Sequence, residues 1–98
     1  MVTLSVGNNA PFDMIVEFSG LETKTIVIPA CEGCVVFPND AAFDGCWDQI
    51  DWQEVTLPPG NYRVELSWPG SNARVGAGPQ TYVPNGDYSS CWAIVEDN

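Results

Sequence analysis

The stretch Leu57-Pro-Pro-Gly-Asn-Tyr-Arg-Val-Glu-Leu-Ser-Trp68 decides how this chain folds. Its second half alternates. Tyr62, Val64, Leu66 and Trp68 fall on one side of an extended backbone, and Arg63, Glu65 and Ser67 on the other. Period two is the mark of a strand with one buried face. Its first half, Pro58-Pro-Gly-Asn61, is turn chemistry. Proline fixes φ and lacks the backbone N–H, while glycine reaches angles closed to other residues. A turn feeding an alternating strand is the repeating unit of an all-β domain.

The same pattern recurs outward from this stretch. Met14, Val16 and Phe18 alternate with Asp13, Ile15 and Glu17; Lys24, Ile26 and Ile28 alternate with Thr25 and Val27. Near the end, Trp92 and Ile94 alternate with Cys91, Ala93 and Val95. Turn signals separate these runs at Gly7–Pro11, Ser19-Gly20, Pro69–Asn72 and Pro84–Asp87. Strands are expected at roughly 2–6, 13–19, 23–29, 34–37, 53–57, 61–68, 73–76, 79–83 and 89–95. About seven to nine short strands predict a two-layer antiparallel β-sandwich, immunoglobulin-like or Greek-key, with residues 1–98 as one domain. One short helix is expected near 40–52, where Phe43, Trp47 and Ile50 fall at i, i+4 and i+7 behind a cap at Asn39 or Asp40. Gly45 weakens that helix by about 1 kcal/mol relative to alanine.

Leu57-Pro-Pro-Gly-Asn-Tyr62 resembles the Leu-x-x-Gly-x-Tyr tyrosine corner of immunoglobulin-like sandwiches. That resemblance implies a tyrosine hydroxyl folded back onto the backbone of its own turn. Gly86-Asp-Tyr88 echoes Gly60-Asn-Tyr62.

The chain has 98 residues, 13 Asp and Glu against 3 Lys and Arg, no His, and a net charge of −10. Such a surface argues against nucleic acid, whose binders set cations against phosphates. Membrane insertion is not expected, since no apolar run approaches the roughly 18–20 residues that a spanning helix needs. Without His there is no Ser-His-Asp or Cys-His catalysis and no imidazole metal ligand. The expectation is a protein that is not an enzyme and carries no cofactor.

Four cysteines, Cys31, Cys34, Cys46 and Cys91, in a short chain predict two disulfides and an oxidising compartment. They allow three pairings, and spacing does not choose among them. A zinc knuckle would need a second close pair beside Cys31-Glu-Gly-Cys34, and a redox Cys-x-x-Cys would open a helix. Structural disulfides fit better. The N-terminal residues lack the basic and long apolar regions of a signal peptide. Together with the cysteines, this is expected of a mature secreted, extracellular chain.

Residues 39–54 hold Asp40, Asp44, Asp48, Asp51 and Glu54, interleaved with Phe43, Trp47 and Trp52. An indole platform beside carboxylates suits a sugar, so Trp52, Trp68, Asp48 and Asp51 are the candidate ligand-binding residues. Trp68, followed by Pro69-Gly70, is expected exposed at a rim, as is Trp52. Trp92, beside Cys91, is expected in the core. Asp40 and Asp44 are candidate calcium ligands under a separate reading, because hard oxygen donors suit Ca²⁺.

Several phrases in order resemble small secreted cysteine-containing fungal β-sandwich proteins. They are Val6-Gly-Asn-Asn-Ala-Pro11, Ile28-Pro-Ala-Cys31-Glu-Gly-Cys34, the Leu-Pro-Pro-Gly-x-Tyr turn and Tyr88-Ser-Ser-Cys91-Trp92. That resemblance implies secretion, a disulfide-bonded sandwich and no established catalytic residues. Val55-Thr-Leu-Pro-Pro-Gly-Asn-Tyr62 and Asn85-Gly-Asp-Tyr-Ser-Ser90 look like parts of the βγ-crystallin motif, with Gly86 where a second Asn or Asp belongs.

These features predict a secreted, non-enzymatic recognition protein for a glycan, a cell-wall component or another extracellular protein, in the manner of an effector. One alternative is an acidic inhibitor or immunity-type protein that covers a cationic protein partner. The other is a calcium-binding βγ-crystallin-like module.

Overall fold

A computed structural model describes residues 1–37, 52–71 and 76–94. These form seven strands: β1 (Val2–Asn8), β2 (Met14–Ser19), β3 (Lys24–Ile28), β4 (Trp52–Leu57), β5 (Gly60–Ser67), β6 (Gly76–Tyr82) and β7 (Asp87–Trp92). They make two sheets, in the orders β4-β1-β7 and β3-β2-β5-β6. The chain crosses between sheets after β1, β3, β4 and β6, so each sheet is assembled from segments far apart in sequence.

Alternation sets which side chains meet. On β2, Met14, Val16 and Phe18 are buried while Glu17 and Ser19 face water. On β1, Val2, Leu4 and Val6 are buried. In register with them, Val55 stands opposite Leu4 and Leu57 opposite Val2. Leu66 pairs with Val16, and Val64 with Phe18. Residues from both sheets form one apolar core, with Tyr62, Trp68, Tyr82 and Ile94 closing it. Each fully buried Val, Leu, Ile, Met or Phe contributes roughly 1.5–3 kcal/mol of transfer free energy.

The tyrosine corner forms as the phrase implied. Tyr62 Oη donates to the carbonyl of Pro58 at 2.7 Å. Gly20 makes room for the ring: a Cβ there would meet Asn61 O at 2.5 Å and Tyr62 Cδ1 at 2.6 Å. The echo closes its turn with the opposite polarity. Tyr88 Oη accepts the Val83 N–H at 3.0 Å.

Four expectations need correction. The sheets are not wholly antiparallel, because β7 runs parallel to β1. The two strands are far apart in sequence, so no tight hairpin dictates their direction. The strand expected at 79–83 begins earlier, at Gly76, as β6 with Pro79 inside it, while the strand expected at 73–76 lies outside the described residues save for Gly76. An edge strand tolerates proline because one row of its N–H groups has no ladder partner. Residues 34–37 form no strand; Phe37 alone bridges, donating its N–H to Ile94 O at 2.9 Å. The last strand ends at Trp92, not at 95. The helix expected near 40–52 lies outside the described residues, save that Trp52 opens β4.

Cys31 and Cys34 are joined in a disulfide, with Cα atoms 5.4 Å apart. Cys91 stands on β7 in register with Gly7. Cys46 lies outside the described residues, and with it the second pairing.

Candidate functional site

The two sheets meet differently along their two flanks. On one, edge strands β3 and β4 are tied by Lys24, whose Nζ donates to Thr56 O at 2.8 Å. On the other lie the edges β6 and β7. At one end these are joined by tyrosines, with the Tyr82 and Tyr88 rings edge-to-face at 5.0 Å. Further along, a cleft of about 270 Å³ opens between the sheets.

Register explains the opening. The row of β6 that pairs with core positions Leu66, Val64 and Tyr62 of β5 reads Gly76, Gly78 and Gln80. Two of those three positions carry no side chain. Across the gap, the β7 row paired with Leu4, Val6 and Asn8 reads Tyr88, Ser90 and Trp92. Ser90 is small where its neighbours in the row, Tyr88 and Trp92, carry aromatic rings. The missing volume leaves a cleft whose floor is lined by the buried side chains Leu4, Val6, Val16, Phe18 and Leu66. A Cβ built on Gly76 or Gly78 would meet nothing within 4 Å.

The mouth carries Gln80, Ser90 and Trp92, all exposed. Trp92 is 40% exposed, so the expectation of a core Trp92 is corrected. It is the last residue of edge strand β7 and has no strand outside it among the described residues. Among the described residues the lining is apolar, aromatic, hydroxyl or amide and includes no Asp, Glu, Lys or Arg. Small-molecule sites are concave and mostly apolar with a few oriented polar groups, at roughly 300–1,000 Å³. This cleft has that chemistry, in a volume just below that range.

Compared with known proteins, the chain matches no protein-family model, and no curated protein or solved structure is significantly similar to it.

Of the candidates chosen from sequence, Trp52 and Trp68 do not line this cleft. Trp68 is only 7% exposed, which corrects the rim expectation. Its indole is drawn inward by Asn8, as its Nε1 donates to Asn8 Oδ1 at 3.0 Å. Trp52 is 40% exposed at the start of β4, on the opposite edge from β7. Asp40, Asp44, Asp48 and Asp51 lie outside the described residues. Sequence reasoning missed Gly76, Gly78 and Ser90. The available signal was glycine at alternate positions of a strand, which marks a place where something else approaches the backbone.

A second polar arrangement sits at the end of the core beside the disulfide. Asn8 Nδ2 donates to Phe12 O at 2.7 Å and to Pro29 O at 3.1 Å. Asn9 is buried, with its Nδ2 unpartnered among the described residues. Its Oδ1 lies 3.0 Å from Cys34 Sγ, a contact in which neither atom carries hydrogen. This cluster holds turns together.

Proposed function

We propose that this chain is a two-layer β-sandwich acting as a secreted, non-enzymatic recognition domain, and that its ligand sits in the cleft between β6 and β7. One observation carries the reading: Gly76, Gly78 and Ser90 withhold volume along one flank of the core, so that a cleft opens over the buried side chains of Phe18 and Leu66. A core with nothing to bind gains by filling such a gap, since interiors are otherwise packed as densely as organic crystals. Among the described residues, no charged group lines the cleft. Such a cleft suits binding more than bond-breaking. The Cys31–Cys34 disulfide is compatible with an oxidising compartment.

Titration with 4-phenylbutanol, followed by two-dimensional NMR, tests this. Shifts are expected at Val16, Phe18, Leu66 and Trp92, and Gly78→Leu should abolish them by filling the cleft. Shifts scattered over the surface, or unchanged in Gly78→Leu, would overturn the assignment.

A second reading keeps the glycan on the outer face of β4-β1-β7. There Trp52, Glu54 and Thr56 alternate outward, and Ser5 and Thr3 stand in register with Glu54 and Thr56. Ser89 and Asp87 continue the same rows on β7. One exposed indole beside hydroxyls and carboxylates suits a sugar chain. A wall-polysaccharide pull-down that Trp52→Ala weakens would support it; equal retention of both proteins would remove it.

A further inference from the structure

We infer that the ligand of this cleft is a small organic cation, with an apolar body against Phe18 and Leu66 and a cationic head at Trp92. The inference rests on the cleft being a ligand site, and goes further by naming the charge of its occupant.

The lining itself separates the three kinds of head group. Among the described residues, an anion inside the cleft would meet no cation; Arg74 lies outside them. Among the described residues, Lys24 is engaged with Thr56 on the far flank. Arg63 is exposed and stands in register with Ser19 and Pro79, in the row of β5 that alternates away from the core. A carboxylate at the mouth would have only hydroxyl and amide donors while losing its hydration, which is costly for an unpaired charge. It would also approach against the field of a chain carrying −10.

A cation meets the opposite conditions. Trp92, 40% exposed, brings to the lining the aromatic ring type that binds cations best, and Tyr88 adds a second ring. The net charge draws a cation towards the molecule and raises its local concentration. A head group of low hydration, such as a quaternary ammonium, loses least on entering a site without hydrogen-bond acceptors of full charge. A neutral head gains neither the ring nor the field. The expected order is therefore cation, alcohol, carboxylate.

Three probes that share one body test this: (4-phenylbutyl)trimethylammonium, 4-phenylbutanol and 4-phenylbutyrate, titrated by NMR into the intact protein at physiological salt. The ammonium is expected to bind at least about tenfold more tightly than the carboxylate, with the alcohol between. Trp92→Leu should bring the ammonium down to the affinity of the alcohol, while Trp92→Phe should keep part of the difference because a ring remains. Tenfold or greater preference that survives Trp92→Leu would overturn the placement of the head group. Equal affinities that Gly78→Leu abolishes would overturn the charge inference and leave the cleft as a site. Failure of all three probes to bind would overturn the cleft reading itself.

Discussion

The indole of Trp68 donates to Oδ1 of Asn8 at 3.0 Å, joining residues 60 apart in sequence. Asn8 ends β1, and Trp68 follows the last residue of β5. The same asparagine amide donates to carbonyls at Phe12 and Pro29, so one buried side chain fastens the ends of both sheets and two turns. A Trp that reads as exposed from its Pro-Gly sequel is thus a structural pin. Buried indole N–H groups need an acceptor, and Asn8 supplies one where no strand backbone remains.

Trp68→Phe should destabilise the protein by about 1–3 kcal/mol, because Asn8 Oδ1 is left buried and unpaired. Urea unfolding at 25 °C reads this as a lower midpoint with an unchanged slope. Combining it with Asn8→Ala should cost less than the sum of the two single changes, since both remove one shared bond. Strict additivity would mean that the bond contributes nothing.

The glycines divide into two kinds with opposite expected responses. Gly20→Ala should cost about 1–3 kcal/mol, because its Cβ would collide with backbone oxygen at Asn61 as well as the Tyr62 ring. Gly78→Ala should be neutral or stabilising, since its Cβ enters open space and alanine restricts the unfolded chain. Thermal unfolding of the two variants side by side checks the contrast; a loss of stability in Gly78→Ala would mean that the cleft is narrower than described.

Alkaline pH should weaken the fold through its tyrosines. Burial pushes the Tyr82 hydroxyl above its ordinary value, and the neighbouring Tyr88 and Tyr62 add to the shift. Tyr62 is raised as well, by burial first and then by Glu22. The folded state therefore holds these protons where the unfolded chain has begun to release them. Stability is whole below about pH 10 and falls as pH rises past it towards the folded values. Tyr82→Phe should flatten the alkaline limb of a denaturation series between about pH 9 and 12. A limb of the same steepness in that variant would assign the effect elsewhere.

Removing the Cys31–Cys34 bridge as a double alanine variant should cost about 2 kcal/mol. Its loop spans a sequence separation of 3, so little chain freedom is restricted in the unfolded state. Chemical denaturation under oxidising conditions measures the difference. A far larger loss would indicate that the sulfur packing against Asn9 matters more than the loop closure.

Much of the architecture was legible before any coordinates. Strands β2, β3 and β5 follow from period-two alternation, because each has one face in the core and one in water. The corner at Tyr62 followed from Leu57-Pro-Pro-Gly-Asn-Tyr62, because the geometry of such a turn is local. β6 was harder: Gly76-Ala-Gly-Pro79 carries no alternation of apolar and polar groups, so nothing in it reports a buried face.

Local order, then, belongs to the sequence: where the backbone extends, where it turns, and the charge it carries into solution. Those properties depend on neighbours within a few residues. The parallel pairing of β1 with β7, the inward pull on Trp68 and the cleft at Gly76 and Gly78 were decided only when distant segments met. An empty position becomes a cavity only when the strands around it are in register, and register between the two ends of a chain is set by packing, not by any residue alone.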